Sequence, residues 1–71
     1  MTVEERVIEI LREIGIAPGE DITDEQLKLL VKIYKVRYAE MFALYGDEIA
    51  ETSASNLVRF VASDMAFNRE E

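Results

Sequence analysis

The sequence predicts an all-α fold: a three-helix bundle organised on a long central helix over about 24–45, assembled as a symmetric homodimer. Three observations predict the bundle. The stretch from Asp24 to Tyr45 carries apolar residues at helical spacing along its whole length. Two capping boxes, Thr2 with Glu5 and Thr23 with Gln26, open the first and second helices. A glycine, Gly15 or Gly46, stands just past the end of each, where a left-handed stop costs least.

The first helix is expected over about 3–14. Val3, Val7, Ile10 and Ile14 form a stripe roughly 60° wide at 100° per residue, with Ile8 and Leu11 broadening it. Glu5, Glu9, Arg12, Glu13 and Arg6 fill the other side. The segment after Gly15 contains Pro18-Gly19, a turn signal in which proline fixes φ and glycine takes positive φ. Ile22 and Leu27 then occupy the positions of a hydrophobic staple around the second capping box. Asp24 and Glu25 suit the positive end of the helix dipole.

In the long helix, Leu27, Leu30, Val31, Tyr34, Tyr38 and Tyr45, with Met41 and Phe42, lie within roughly 60° of one line. A second cluster, Leu29, Ile33, Val36 and Leu44, points nearly the opposite way. A helix apolar on two sides is normally central, with neighbours on both. The last helix is expected over about 54–67, because Thr52, Ser53, Ser55 and Asn56 favour caps over helix interior. A continuous helix from Asp47 is the alternative. Ala54, Leu57, Val58, Val61 and Met65 form its main stripe, while Phe60 and Phe67 share a second face. Residues 68–71 are expected to fray.

Seventy-one residues allow one domain, 1–71, and an apolar content of 49% separates the chain from compositionally disordered ones. A core of this size rarely supplies more than ~3–5 kcal/mol, and small domains usually add disulfides, a metal or a second subunit. Cysteine and histidine are both absent, which removes disulfides, thiolate metal sites and the commonest metal ligand and general base. Oligomerisation is the support left open. The start of the chain lacks the basic and apolar regions of a signal peptide, and no uncharged run approaches membrane-spanning length, so the expectation is a soluble cytoplasmic protein.

The net charge of −7 is unevenly spread. Residues 1–25 carry eight acids and two bases, residues 26–39 four bases and no acid, and residues 40–71 seven acids and two bases. The acidic far field disfavours nucleic acid as a partner. The local exception is a strip of Lys28, Lys32 and Lys35, whose helical spacing could track a phosphate backbone or an acidic partner helix. The plainer reading is a solvated face, and nothing about three lysines is specific.

No constellation carries chemistry. The carboxylates of the first helix and of Glu20-Asp21 read as exposed faces and caps, and they lack the ligand spacing and glycine of a calcium loop. Ser53, Ser55 and Ser63 have no histidine to activate them. VEERVIEILREIG followed by ITDEQL resembles the first helix and loop of acyl carrier proteins. Those carriers need Asp-Ser-Leu at the start of a later helix for the pantetheine arm. No serine here lies in that triplet, so the resemblance implies neither carrier function nor family membership.

The aromatic residues point instead to interfaces. Tyrosine hydroxyls need partners when buried, and rings at a subunit boundary find them more easily than rings in a small closed core. At ~1.5 Å per residue the central helix is about 33 Å long, against about 18 Å and 21 Å for its neighbours, so its aromatic end should protrude. A two-fold dimer would bury Tyr38, Met41, Phe42, Tyr45 and Phe60, and Phe67 extends the same contact set. The leading functional expectation is a non-enzymatic protein–protein interaction or regulatory module without a cofactor. The alternative is an acidic inhibitor or nucleic-acid mimic occupying a basic site on a nucleic-acid-handling protein.

Overall fold

In the structure, a computed structural model describing residues 2–67, three α-helices follow one another: α1 (Val3–Glu13), α2 (Asp24–Tyr45) and α3 (Asp47–Phe67). Both expected capping boxes form. The Glu5 N–H donates to Thr2 Oγ1 at 3.1 Å while the Thr2 N–H donates to Glu5 Oε1 at 3.0 Å. Thr23 and Gln26 repeat the exchange at 3.0 and 2.9 Å. Each box satisfies two N–H groups that a helix start leaves without partners.

α1 ends one residue before the expected Ile14, which becomes its cap. The Gly15 N–H donates to the Arg12 carbonyl at 3.1 Å and the Ile16 N–H to the Leu11 carbonyl at 2.8 Å. This is a Schellman stop, and it needs the positive φ of Gly15, +80°. It also turns Ile16 back onto Leu11, so that both are buried. In the following loop the Ala17 N–H donates to Asp21 Oδ2 at 2.8 Å, and the Ala17 carbonyl accepts from Asp21 N–H at 2.8 Å. The loop is thereby tied to itself and carries Ile22 into the core beside Ile16.

α2 and α3 are separated by Gly46 alone. Its φ of +94° allows the reversal, and its N–H closes α2 by donating to the Phe42 carbonyl at 3.1 Å. α3 begins at Asp47, so the start expected near 54 gives way to the continuous helix. The reason lies in where the hydroxyls go. Ser55 directs its Oγ to the side chain of Glu51, one turn back, rather than competing for backbone. Ala50 and Ala54 are fully buried, which ties the segment to its neighbours. Ala50, Ala54, Val58, Ala62 and Ala66 recur every fourth residue and form a ridge of mostly small side chains, suited to close helix approach. The α2–α3 pair is the most extensive packing in the molecule.

α1 lies across one side of this hairpin. Val7, Ile10 and Leu11 meet Leu30 and Tyr34 of α2 and Val58 and Ala62 of α3, with Ile16 and Ile22 closing the end. The expectation that α2 would be covered on both apolar sides fails within one chain. Leu29, Val36 and Leu44 of its second cluster are exposed. With α3 alongside and α1 spent on one side, no further element among the described residues covers the other. The expected fraying of 68–71 lies outside the described residues.

Candidate interaction surfaces

Two surfaces combine exposed apolar side chains with organised polar groups, and they lie on different sides of the hairpin. The first is the aromatic stripe of α2. Tyr34 and Tyr38 stack with ring centroids 6.2 Å apart, and Tyr38 and Phe42 with centroids 5.8 Å apart, at interplanar angles of 11° and 14°. Helical spacing of one turn sets this ladder. Tyr34 is buried beneath α1, Tyr38 and Met41 are half-buried, and Phe42 and Tyr45 are exposed toward the hairpin end.

Beside the ladder is a polar cluster that spans all three helices. Glu51 Oε2 accepts from Arg6 Nε at 2.8 Å, from Ser55 Oγ at 2.8 Å and from Tyr34 Oη at 3.4 Å. Arg6 also donates to Glu9 Oε1 at 2.9 Å and to Ser55 Oγ at 3.3 Å. The Ser55 hydroxyl, with Arg6, holds the Glu51 carboxyl below its ordinary value, against the opposing effect of burial. Burial pushes the Tyr34 phenol up, and the neighbouring Glu51 charge adds to the shift. The Tyr38 hydroxyl donates to Asp47, which raises its pKa. Both tyrosines thus find hydroxyl partners within the chain, where the sequence had suggested a subunit boundary. An open groove of about 430 Å³ lies here, between Val3 and Arg6 of α1, Lys35 and Tyr38 of α2 and Asp47 of α3.

The second surface is the side of the hairpin opposite α1. On α2 it carries Leu29, Ile33, Val36 and Leu44, which lie within roughly 60° of Leu29 at 100° per residue. On α3, Ile49, Phe60 and Phe67 share a line, with Leu57 at its inner edge. Six of these side chains are large and exposed, from 48% at Leu29 to 73% at Phe60. Two open grooves run between the helices on either side of Leu57. One of about 410 Å³ lies beside Leu29, Lys32 and Val36, and one of about 680 Å³ beside Ile49, Thr52 and Ser53. Arg37 borders both.

The six residues singled out from the sequence therefore divide. Tyr38, Met41, Phe42 and Tyr45 belong to the stripe on the α1 side, and Phe60 and Phe67 to the opposite side. Phe60 is also about 20 Å along α3 from the hairpin end that carries Phe42, at ~1.5 Å per residue. The sequence reading missed Arg6, Glu51 and Ser55, since only the fold brings them together. It noted Leu29, Val36 and Leu44 but gave them to a covering neighbour. Lys28, Lys32 and Lys35 are all exposed, and none takes part in the ion pairs found among the described residues, Arg6–Glu9, Arg6–Glu51 and Arg59–Glu13.

Among the described residues no group of carboxylates is placed to hold a metal ion, and no helix is long and apolar enough to cross a membrane. Compared with known proteins, the chain matches no family model, no curated protein and no solved structure.

Proposed function

We propose that this chain is a non-enzymatic interaction module of the cytoplasm, acting through apolar helical faces that its own fold leaves open. One observation carries the reading: six large apolar side chains stand exposed on the hairpin side away from α1. Large apolar side chains gathered on one side of a small protein mark contact sites, whereas scattered single residues do not. The exposed end of the aromatic stripe, Phe42 and Tyr45, supplies a second and smaller contact region. The absence of histidine and cysteine from the sequence weighs in the same direction.

The test is photo-crosslinking in cells, with a photoreactive residue placed at Phe60, at Phe42 or at Glu4. Adducts are expected from Phe60 and Phe42 and few from Glu4. Absence of adducts from both apolar positions, to this chain or to any other, overturns the reading.

The acidic-mimic reading draws on the exposed carboxylates of α1, Glu4, Glu5, Glu9 and Glu13. Two of these are already engaged, Glu9 by Arg6 and Glu13 by Arg59 at 3.0 Å. Ionic strength separates the two readings. Mimicry of phosphates should weaken steeply with added salt, and apolar docking should not.

A further inference from the structure

We infer that the hairpin side away from α1 is covered by a second copy of this chain, packed across a two-fold axis perpendicular to the helices at the level of Val36 and Asn56. This rests on the interaction reading above and names the occupant of that surface. In such a dimer α2 crosses α2 of the partner antiparallel, α3 crosses α3, and each α1 lies on the outside.

Charge is the first argument. The protein is acidic, with a formal charge of −7, and two copies repel at a distance. The grooves of the surface in question do not share that bias. The charged residues bordering its grooves are Lys32, Arg37, Glu40 and Glu48, two of each sign. They are also ordered for self-pairing. Lys32 and Glu40 each stand one helical turn from Val36, on opposite sides of it. An antiparallel crossing centred on Val36 therefore sets each Lys32 against the partner subunit's Glu40, twice by symmetry. A two-fold interface requires self-complementarity of this kind.

Shape gives the second argument. Phe60 is the most exposed large apolar residue, at 73%, and stands one turn beyond Asn56. The larger groove, about 680 Å³, includes Thr52 and Ser53 about one turn before Asn56. The same axis that pairs Lys32 with Glu40 lowers each Phe60 onto that groove of the other copy. The small side chains of Thr52 and Ser53 leave room for the ring.

Size gives the third. Two helices about 32 Å long with axes about 9 Å apart present a strip of roughly 30 by 20 Å. That is the scale on which each partner of a standard interface buries ~800 Å² of accessible surface. A small core without disulfides gains most from such burial.

The test combines solution mass with a charge exchange. Sedimentation equilibrium of the wild-type chain should give a dimer of the 8.1 kDa subunit. Lys32→Glu and Glu40→Lys, both at exposed positions and so compatible with folding, should each weaken the dimer at least about tenfold, and the double exchange should restore it. Circular dichroism checks that all three variants keep the wild-type helix content. A wild-type chain that is monomeric up to millimolar concentration overturns the inference; adducts to other proteins at Phe60 would then still uphold the interaction reading. A dimer indifferent to the single exchanges, or one that the double exchange fails to rescue, overturns the two-fold arrangement.

Discussion

The two sides of the α2–α3 hairpin are built from the same two helices and are finished differently. Toward α1, and as far as that helix reaches, the apolar side chains are covered: Leu30, Tyr34, Val58 and Ala62 are buried. The polar groups there are paired around Glu51, and no side-chain nitrogen or oxygen among the described residues is buried without a partner. Away from α1, side chains of similar size stand in water. Leu30 is fully buried and its neighbour Leu29 is 48% exposed. The difference is one of chain supply. α1 is 11 residues long and covers one side, whereas α2 and α3, at 22 and 21 residues, present two. Apolar pattern specifies that a face prefers cover; it does not specify that the same chain provides it.

The sharpest way to break this comparison is truncation at adjacent positions. Leu30→Ala should cost about 2–5 kcal/mol, the range for emptying a fully buried leucine site. Against a core worth only ~3–5 kcal/mol, that removes a large part of the stability read in chemical denaturation. Leu29→Ala, measured on dilute protein, should change the unfolding free energy by less than about 0.5 kcal/mol. Equal effects would mean that the two sides are not energetically distinct.

Smaller in effect is the polar cluster. Glu51→Ala removes the shared acceptor of Arg6, Ser55 and Tyr34 and should destabilise by about 1–2 kcal/mol, moderated by the partial exposure of the carboxylate. Its pH signature has a definite sign. Because Glu51 is held below its ordinary 4.5, its contribution is fully present above that pH and is lost as pH falls through the depressed folded value. Glu51→Gln should flatten that part of the acid limb of a stability–pH profile. Tyr34 acts at the other extreme. Its phenol is raised above 10.0, so its contribution is present below that pH and is lost as pH rises beyond it. Tyr34→Phe should flatten the alkaline limb by a smaller amount, and an unchanged limb would show that the shift contributes nothing to folding.

How much of this was legible in the sequence follows from which interactions are local. Capping boxes, the glycine stops and the bounds of α2 rest on residues within one or two turns of each other, and they form as expected. The start of α3 was missed because propensity at Ser53, Ser55 and Asn56 argues for a cap. The deciding facts, a hydroxyl turned toward Glu51 and alanines buried against other helices, come from tertiary packing. The Arg6–Glu51–Ser55 cluster joins residues 45 and 49 positions apart, and no spacing rule reaches that far. Phe42 and Tyr45 of α2 are exposed as expected but not for the expected reason, since α3 has 21 residues to the 22 of α2 and α1 alone is short. Phe60 and Phe67 were correctly separated from their helix's buried stripe, yet grouped with Phe42, because helical phase within α3 does not say which side of α2 it faces.

The proposed contact between copies of the chain is tested most directly by comparing the sedimentation of two variants, Phe60→Glu and Phe42→Glu. Both residues are exposed in the single chain, at 73% and 52%, so both variants should keep the fold. The account predicts that Phe60→Glu sediments as the 8.1 kDa single chain while Phe42→Glu keeps the mass of the wild-type dimer. A monomeric Phe42→Glu beside a dimeric Phe60→Glu would place the contact on the aromatic stripe and contradict it.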